Sequence, residues 1–311
     1  MSTLEGRLRG AMWGLLVGDA LGVPYEFHPP SGLPPIEQLE MEPPFGFDRA
    51  HSTVPAGTWS DDGAQALCLA EALIESEADL FYSRLSNKLV AWRDSGHMAV
   101  GQVVFDIGGA TNSAINCLQV RRDDGRSCGG IEEHCLGNGA LMRVLPLALW
   151  QSNLSALIEH SMQQSRLTHG HPVSQLCCAI YCVWVRGLLQ DQRSGWADVL
   201  ETVARQVPSN FESHWNRILT ELEQPAGGSG YVVDTLRSAR WAVEAHGDFE
   251  STVKAAISLG HDTDTTACVA GGAAGAVYGQ AGIPARWLGS LRGRSVAGPL
   301  INQLIAQGVR P

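Results

Sequence analysis

A chain of 311 residues, 44% of them hydrophobic, is long enough to bury a core, and its 35 glycines and 15 prolines lie within otherwise apolar segments, which excludes a disordered or low-complexity protein. Its formal net charge of -10 repels phosphate backbones and anionic lipid, so nucleic acid and membranes are not expected partners. The small basic cluster Arg121, Arg122 and Arg126 is offset by Asp123 and Asp124 and reads as a solvated loop.

Leu4, Leu8, Ala11 or Met12, Leu15 and Leu16 recur at three-to-four spacing and predict an amphipathic helix ending near GDALG at 18–22. Its glycines permit close backbone approach. Asp19 interrupts the apolar stretch and no small-residue cleavage site follows, so the segment is not read as a leader. The Pro-rich stretch 27–47 predicts a surface loop. A helix is expected after Asp62, over 64–77, with Ser60 or Asp61 as its N-cap. Further helices are expected over 81–96, 111–122, 139–150, 154–168, 172–190, 196–207, 212–223, 232–247, 249–260 and 263–279. Strand-like alternation is almost absent, GQVVFDI at 101–107 being the best case. Eight cysteines form no CxxC pair and most sit inside apolar runs such as QLCCAIYCVWV, which predicts free, buried thiols. No apolar run reaches the length of a spanning helix, and a soluble cytoplasmic protein is the default expectation. The expected fold is all-α: a compact orthogonal many-helix bundle, one domain over 1–311, with 222–233 a loop inside it rather than a linker.

Two acidic stretches stand out, GTWSDDG at 57–63 and LGHDTDTTA at 259–267, each placed where a helix is about to start. Carboxylates there stabilise the unpaired N–H groups and the positive end of the helix dipole, so capping alone accounts for either pair. The two pairs together support a second reading. Small residues follow each, Ala64 and Ala66 in one case, Ala267, Gly271 and Gly275 in the other, so the two helix starts can approach closely. Asp61, Asp62, Asp262 and Asp264 brought into one buried site would repel one another and need a cation. An all-oxygen set, with hydroxyls from Ser60 and Thr265, suits two magnesium ions, or manganese as a close substitute, in a binuclear site between helix N-termini. His261 has no partner of its own for a zinc site.

The ordered blocks GLLVGDALGVPYEF, GTWSDDGAQALCLAEAL, FDIGGAT, GNGALMRVLPLAL, THGHP, GYVVDTLRSARWAV and LGHDTDTTACVAGGAAGAVYG together resemble the ADP-ribosylglycohydrolase family, in the manner of dinitrogenase reductase-activating glycohydrolases. Those enzymes remove ADP-ribose from modified side chains. The resemblance implies that Ser60, Asp61, Asp62, Asp262, Asp264 and Thr265 hold the two ions, which contact the hydroxyls of the ribose bonded to the modified side chain. It gives the catalytic carboxylate as Glu26 or Asp106 and leaves the choice open. Asn138 and Gly139 would offer backbone and amide donors to the diphosphate, or else form an ordinary turn before a helix. His169 would line the ligand cleft, and Tyr231 would stack on the adenine; each is otherwise a packing residue. Two positions depart from the family pattern. Gly63 stands where a hydroxyl residue usually follows the two aspartates, and His261 stands where Gly or Asn is common. The implied activity is hydrolysis of an ADP-ribosyl linkage, to arginine first and to serine or another acceptor as the alternative, on a modified protein or a small ADP-ribosyl conjugate. A silent ADP-ribose binder, a structural relative and a dimetal phosphatase are the competing readings.

Overall fold

Helix α1, Leu4–Gly22, starts at Thr3, whose side chain accepts the Gly6 N–H, and it is buried almost throughout from Leu8 onward. Burial on all sides is possible because α1 carries glycine at every fourth position on one face. That face lies against the helix Thr263–Tyr278 backbone to backbone. A Cβ added at Gly10, Gly14 or Gly18 would sit 2.4, 2.3 or 2.0 Å from the carbonyl oxygens of Gly275, Gly271 and Ala267, and one at Gly22 would sit 2.4 Å from the Cα of Asp264. This close approach brings the acidic start of one helix to the end of the other, where Glu26 follows.

The computed structural model describes residues 3–76, 81–121, 123–190 and 195–308. Within them α2 is Asp61–Ile74, α3 Phe81–Ser95, α4 Gly109–Val120, α5 Leu145–Trp150, α6 Leu154–Ser165, α7 Pro172–Leu189, α8 Trp196–Ala204, α9 Glu212–Leu222, α10 Val232–Ala245, α11 Phe249–Ser258, α12 Thr263–Tyr278, α13 Ala285–Ser290 and α14 Arg294–Gln307. The described residues contain no strand, only isolated bridges joining Gly130 to His169 and Gly137 to Tyr231. The all-helical expectation holds, and the best strand candidate does not form one. Gly101, Gln102 and Asp106 take left-handed backbones with φ of 62, 61 and 57°, which breaks any extended run there. Loop 222–233 is tied in by its backbone: Gly228 O accepts the Asp262 N–H and Gly230 O the Asn138 N–H.

Other expectations are corrected. The helix expected over 139–150 starts only at Leu145, because Pro146 lacks an N–H and fits the first turn alone. Helices α13 and α14 lie beyond the helices expected from the sequence; Pro299 inside α14 masks a face that buries Ala297, Leu300, Ile301 and Leu304. By length and apolarity α7 does reach spanning size, yet 83% of it is buried inside the fold, where it is a core helix. Six cysteines are free and buried, but Cys117 and Cys128 form a disulfide. The loop after α4 folds back to bring their Cα atoms to 5.5 Å, which a separation of 11 residues does not announce. Of the basic cluster, Arg121 pairs with Asp123 and Arg126 with Asp124, while Arg122 lies outside the described residues.

Candidate functional site

The first acidic pair is free for other work because other groups cap its helix. Asp19, fully buried in α1, accepts the Ser60 N–H through Oδ1 at 2.8 Å and the Gly63 N–H through Oδ2 at 2.7 Å. Ser60 Oγ accepts the Asp62 N–H at 3.3 Å and keeps a second lone pair. The departure at Gly63 has a steric cause here. A Cβ there would meet Leu16 Cδ2 at 2.8 Å and Asp19 Oδ2 at 2.9 Å, so this position faces α1.

At the second motif, Asp262 occupies the N-cap position of α12 without making a capping bond. Its Oδ2 accepts the Asn138 side-chain amide at 2.7 Å. Asp264 Oδ1 accepts the Thr265 N–H at 2.8 Å, and the Thr265 hydroxyl donates across to Asp62 Oδ1 at 3.3 Å. This last bond joins the two motifs. Asp62 and Asp264 are fully buried, and the second oxygen of each, Oδ2, has no hydrogen-bond partner. A buried carboxylate oxygen left unpaired is costly unless something else satisfies it. His261 takes a left-handed φ of 61°, which explains why Gly or Asn suits the position, and its backbone pairs with Phe27 and His28 beside Glu26.

Glu26, Asp61, Asp62, Asp106, Asp262 and Thr265 line one cavity of about 280 Å³, together with Asn138, Gly139 and His169. Oxygens of Glu26, Asp262 and Asp264 lie within 4.8 Å of one another. Glu26 Oε2 also accepts from His51 Nε2 at 2.7 Å, and Asp106 Oδ1 lies 3.9 Å from the same nitrogen. Burial pushes the Glu26 and Asp19 carboxyls up to about 7. Burial, then the surrounding carboxylates, carries Asp61, Asp62 and Asp264 well above the usual range. Burial also raises Asp106.

The remaining expected residues differ in their fit. His169 is buried, and desolvation together with Arg143 holds its imidazole near 3, so it is neutral. Its ring fills the space beside Gly139, where a Cβ would come within 2.8 Å of Cε1. Asn138 is corrected as a phosphate donor: its amide is spent on Thr235 and Asp262 and its N–H on Gly230. Tyr231 does not line the cavity, since its hydroxyl is held by Glu221 and Arg217. Sequence reasoning missed three features. Asp19 was visible as a charge inside an apolar helix. Arg143, fully buried, donates to Gly139 O at 3.0 Å and to Gln65 Oε1 at 3.1 Å, while Gln65 donates to Asp61 Oδ2 at 3.1 Å, so a cation reaches the acidic site through one amide. The start of α4 lines the cavity with no side-chain cap at Gly108, offering free N–H groups to an anion.

The raised carboxyls give the metal-free protein a definite pH dependence. Groups at about 7 in the fold and about 4 unfolded hold protons in the native state that the unfolded chain releases, so stability falls as pH rises through that window. The melting temperature of metal-free protein is expected to drop between pH 5.5 and pH 8, and added magnesium is expected to recover it at pH 8. Calorimetry across that range checks both.

The family model described as ADP-ribosylglycohydrolase matches residues 1–310. The chain is 33% identical to ADP-ribosylarginine hydrolase Tri1 of Pseudomonas putida, covering 91% of this chain and 73% of that one. It is 28% identical to ADP-ribosyl-[dinitrogen reductase] glycohydrolase of Rhodospirillum rubrum, covering 93% and 91%. Among solved structures, one of an ADP-ribosylglycohydrolase-related protein complex superposes with a TM-score of 0.79 at 29% identity, covering 99% of this chain and 100% of the other.

Proposed function

The chain belongs to the ADP-ribosylglycohydrolase family, and from that premise we propose that it hydrolyses the bond between ADP-ribose and a modified arginine side chain. The carrying observation is the convergence of carboxylates from four segments on one small cavity, with a buried, unpaired oxygen on Asp62 in its lining and another on Asp264 beside Asp262. The donor set is all oxygen, which fits magnesium or manganese held by Asp61, Asp62, Asp262, Asp264 and Thr265, with the Ser60 hydroxyl buried next to Asp61 and Asp62. Such ions, when bound, supply a positive field that grips ribose hydroxyls and polarises water.

The chain's own groups do the rest. The uncapped start of α4 and Gly139 receive the diphosphate, and neutral His169 lies on the same wall. Breaking the bond at the ribose C1 develops positive charge on the sugar, which the Glu26, Asp106 and Asp262 carboxylates stabilise. Glu26, buried and held by His51, can take a proton from the attacking water, with Asp106 as the second acid–base group at the same edge. The water gives its hydroxyl to C1 and its proton to Glu26, and the guanidine departs with a proton from Asp106, leaving free ADP-ribose.

The test is a panel of arginine-linked and serine-linked ADP-ribosyl peptides with and without magnesium. Magnesium-dependent release of ADP-ribose from the arginine conjugate is expected. Release from serine peptides alone, or from neither, overturns the proposal.

A further inference from the structure

Among the described residues, six non-glycine positions have left-handed backbones, and four of them, Phe27, His51, Asp106 and His261, gather around Glu26. That conformation is unfavourable for any residue with a Cβ, and its clustering marks a segment held by its surroundings in a required shape. The hold is visible: Phe27 N–H donates to His261 O and His261 N–H to His28 O, both at 2.7 Å. The result is an aromatic ring set in water beside a buried acid. Phe27 is 68% exposed. Its ring centroid lies 5.6 Å from that of His51, which lies 5.0 Å from that of Phe105, with interplanar angles of 52 and 55°. The His51 Nε2 is bonded to Glu26 at 2.7 Å, and its ring packs against both phenylalanines.

We propose that the exposed Phe27 and the neighbouring Phe105, both packed on His51, form an acceptor subsite, an aromatic edge beside Glu26 and Asp106 that receives the planar cation of an ADP-ribosylated arginine. The assignment rests on the hydrolase reading above. With the sugar carbon at Glu26 and Asp106, the group attached to it leaves the cavity along this edge. A guanidinium suits both halves of the edge: its flat faces stack on aromatic rings, and its charge is drawn to the carboxylates. A serine side chain has neither plane nor charge, so it gains nothing from the aromatic edge. Arg49, on the loop just before His51, is engaged with Glu42 and the Val54 carbonyl.

The experiment compares kcat/KM for arginine-linked and serine-linked conjugates in wild type, Phe27→Ala and Phe105→Ala. In each variant the arginine-to-serine preference is expected to fall about tenfold, mainly through KM for the arginine conjugate. Phe27→Trp, which restores a ring, is expected to recover it. Because Phe27 is exposed, its melting temperature should not move, which separates loss of the subsite from loss of the fold. A wild type that prefers arginine, with the preference unchanged in both alanine variants, overturns the subsite alone. A wild type that cuts only the serine conjugate, or neither, overturns the arginine reading and the subsite with it.

Discussion

Asp62→Asn is expected to lower magnesium-dependent release of ADP-ribose by roughly 10³-fold, the scale seen when one preorganised electrostatic group is removed from an active site. The same variant should melt at a higher temperature than wild type when both are metal-free at pH 8. These opposite effects have one origin. Asp62 is fully buried among Asp19, Asp61 and Asp262, and ionising it there costs stability that only a cation offsets. An amide of the same shape removes the repulsion and the ligand together. Melting curves of both proteins with and without magnesium test this. A variant less stable than wild type without metal, or equally stabilised by magnesium, contradicts the account. If Asp62 were chiefly a helix-start residue, asparagine would be nearly silent, since Asp19 and Ser60 already satisfy that end of α2.

Gly18→Ala is expected to destabilise the protein by about 3 kcal/mol or more, the upper end for overpacking a core, because the new methyl would lie 2.0 Å from the Ala267 carbonyl oxygen. Backbone cannot rotate aside as a side chain can, so α1 and α12 must separate. Activity should fall with stability, since α12 carries Asp264 and Thr265 and α1 leads to Glu26. Gly289→Ala, with no atom within 4 Å of its would-be methyl, is the control and should change the urea midpoint little. A Gly18→Ala protein with wild-type midpoint and activity would show that the helices do not need their contact.

Much of this was legible in the residues. Leu and Ala at helical spacing placed α2, whereas the α12 glycines, expected to bring that helix close to the start of α2, pack instead on α1, where Gly271 meets Gly14. The pairs at 61–62 and 262–264 do converge, joined by the Thr265 to Asp62 bond. Other features were hidden. Asn138 looked like a donor to an anion, but a side chain with several possible partners declares its choice only when folded, and here it chose Asp262 and Thr235. His51 carries no motif, and it matters because the loop before α2 sets its ring against Glu26.

The order of residues alone determined the helices with clean periodicity, the two acidic motifs and the family. These signals are local, or repeat in blocks along the chain. Only the tertiary structure decided whether those acids cap or converge. That question turns on which other groups reach the same N–H donors, and Asp19, 41 residues before Ser60, reaches two of them while Ser60 takes a third. It also decided that Glu26 joins Asp262 and Asp264, with oxygens within 4.8 Å of one another, because α1, which leads to Glu26, packs on α12 through its glycines.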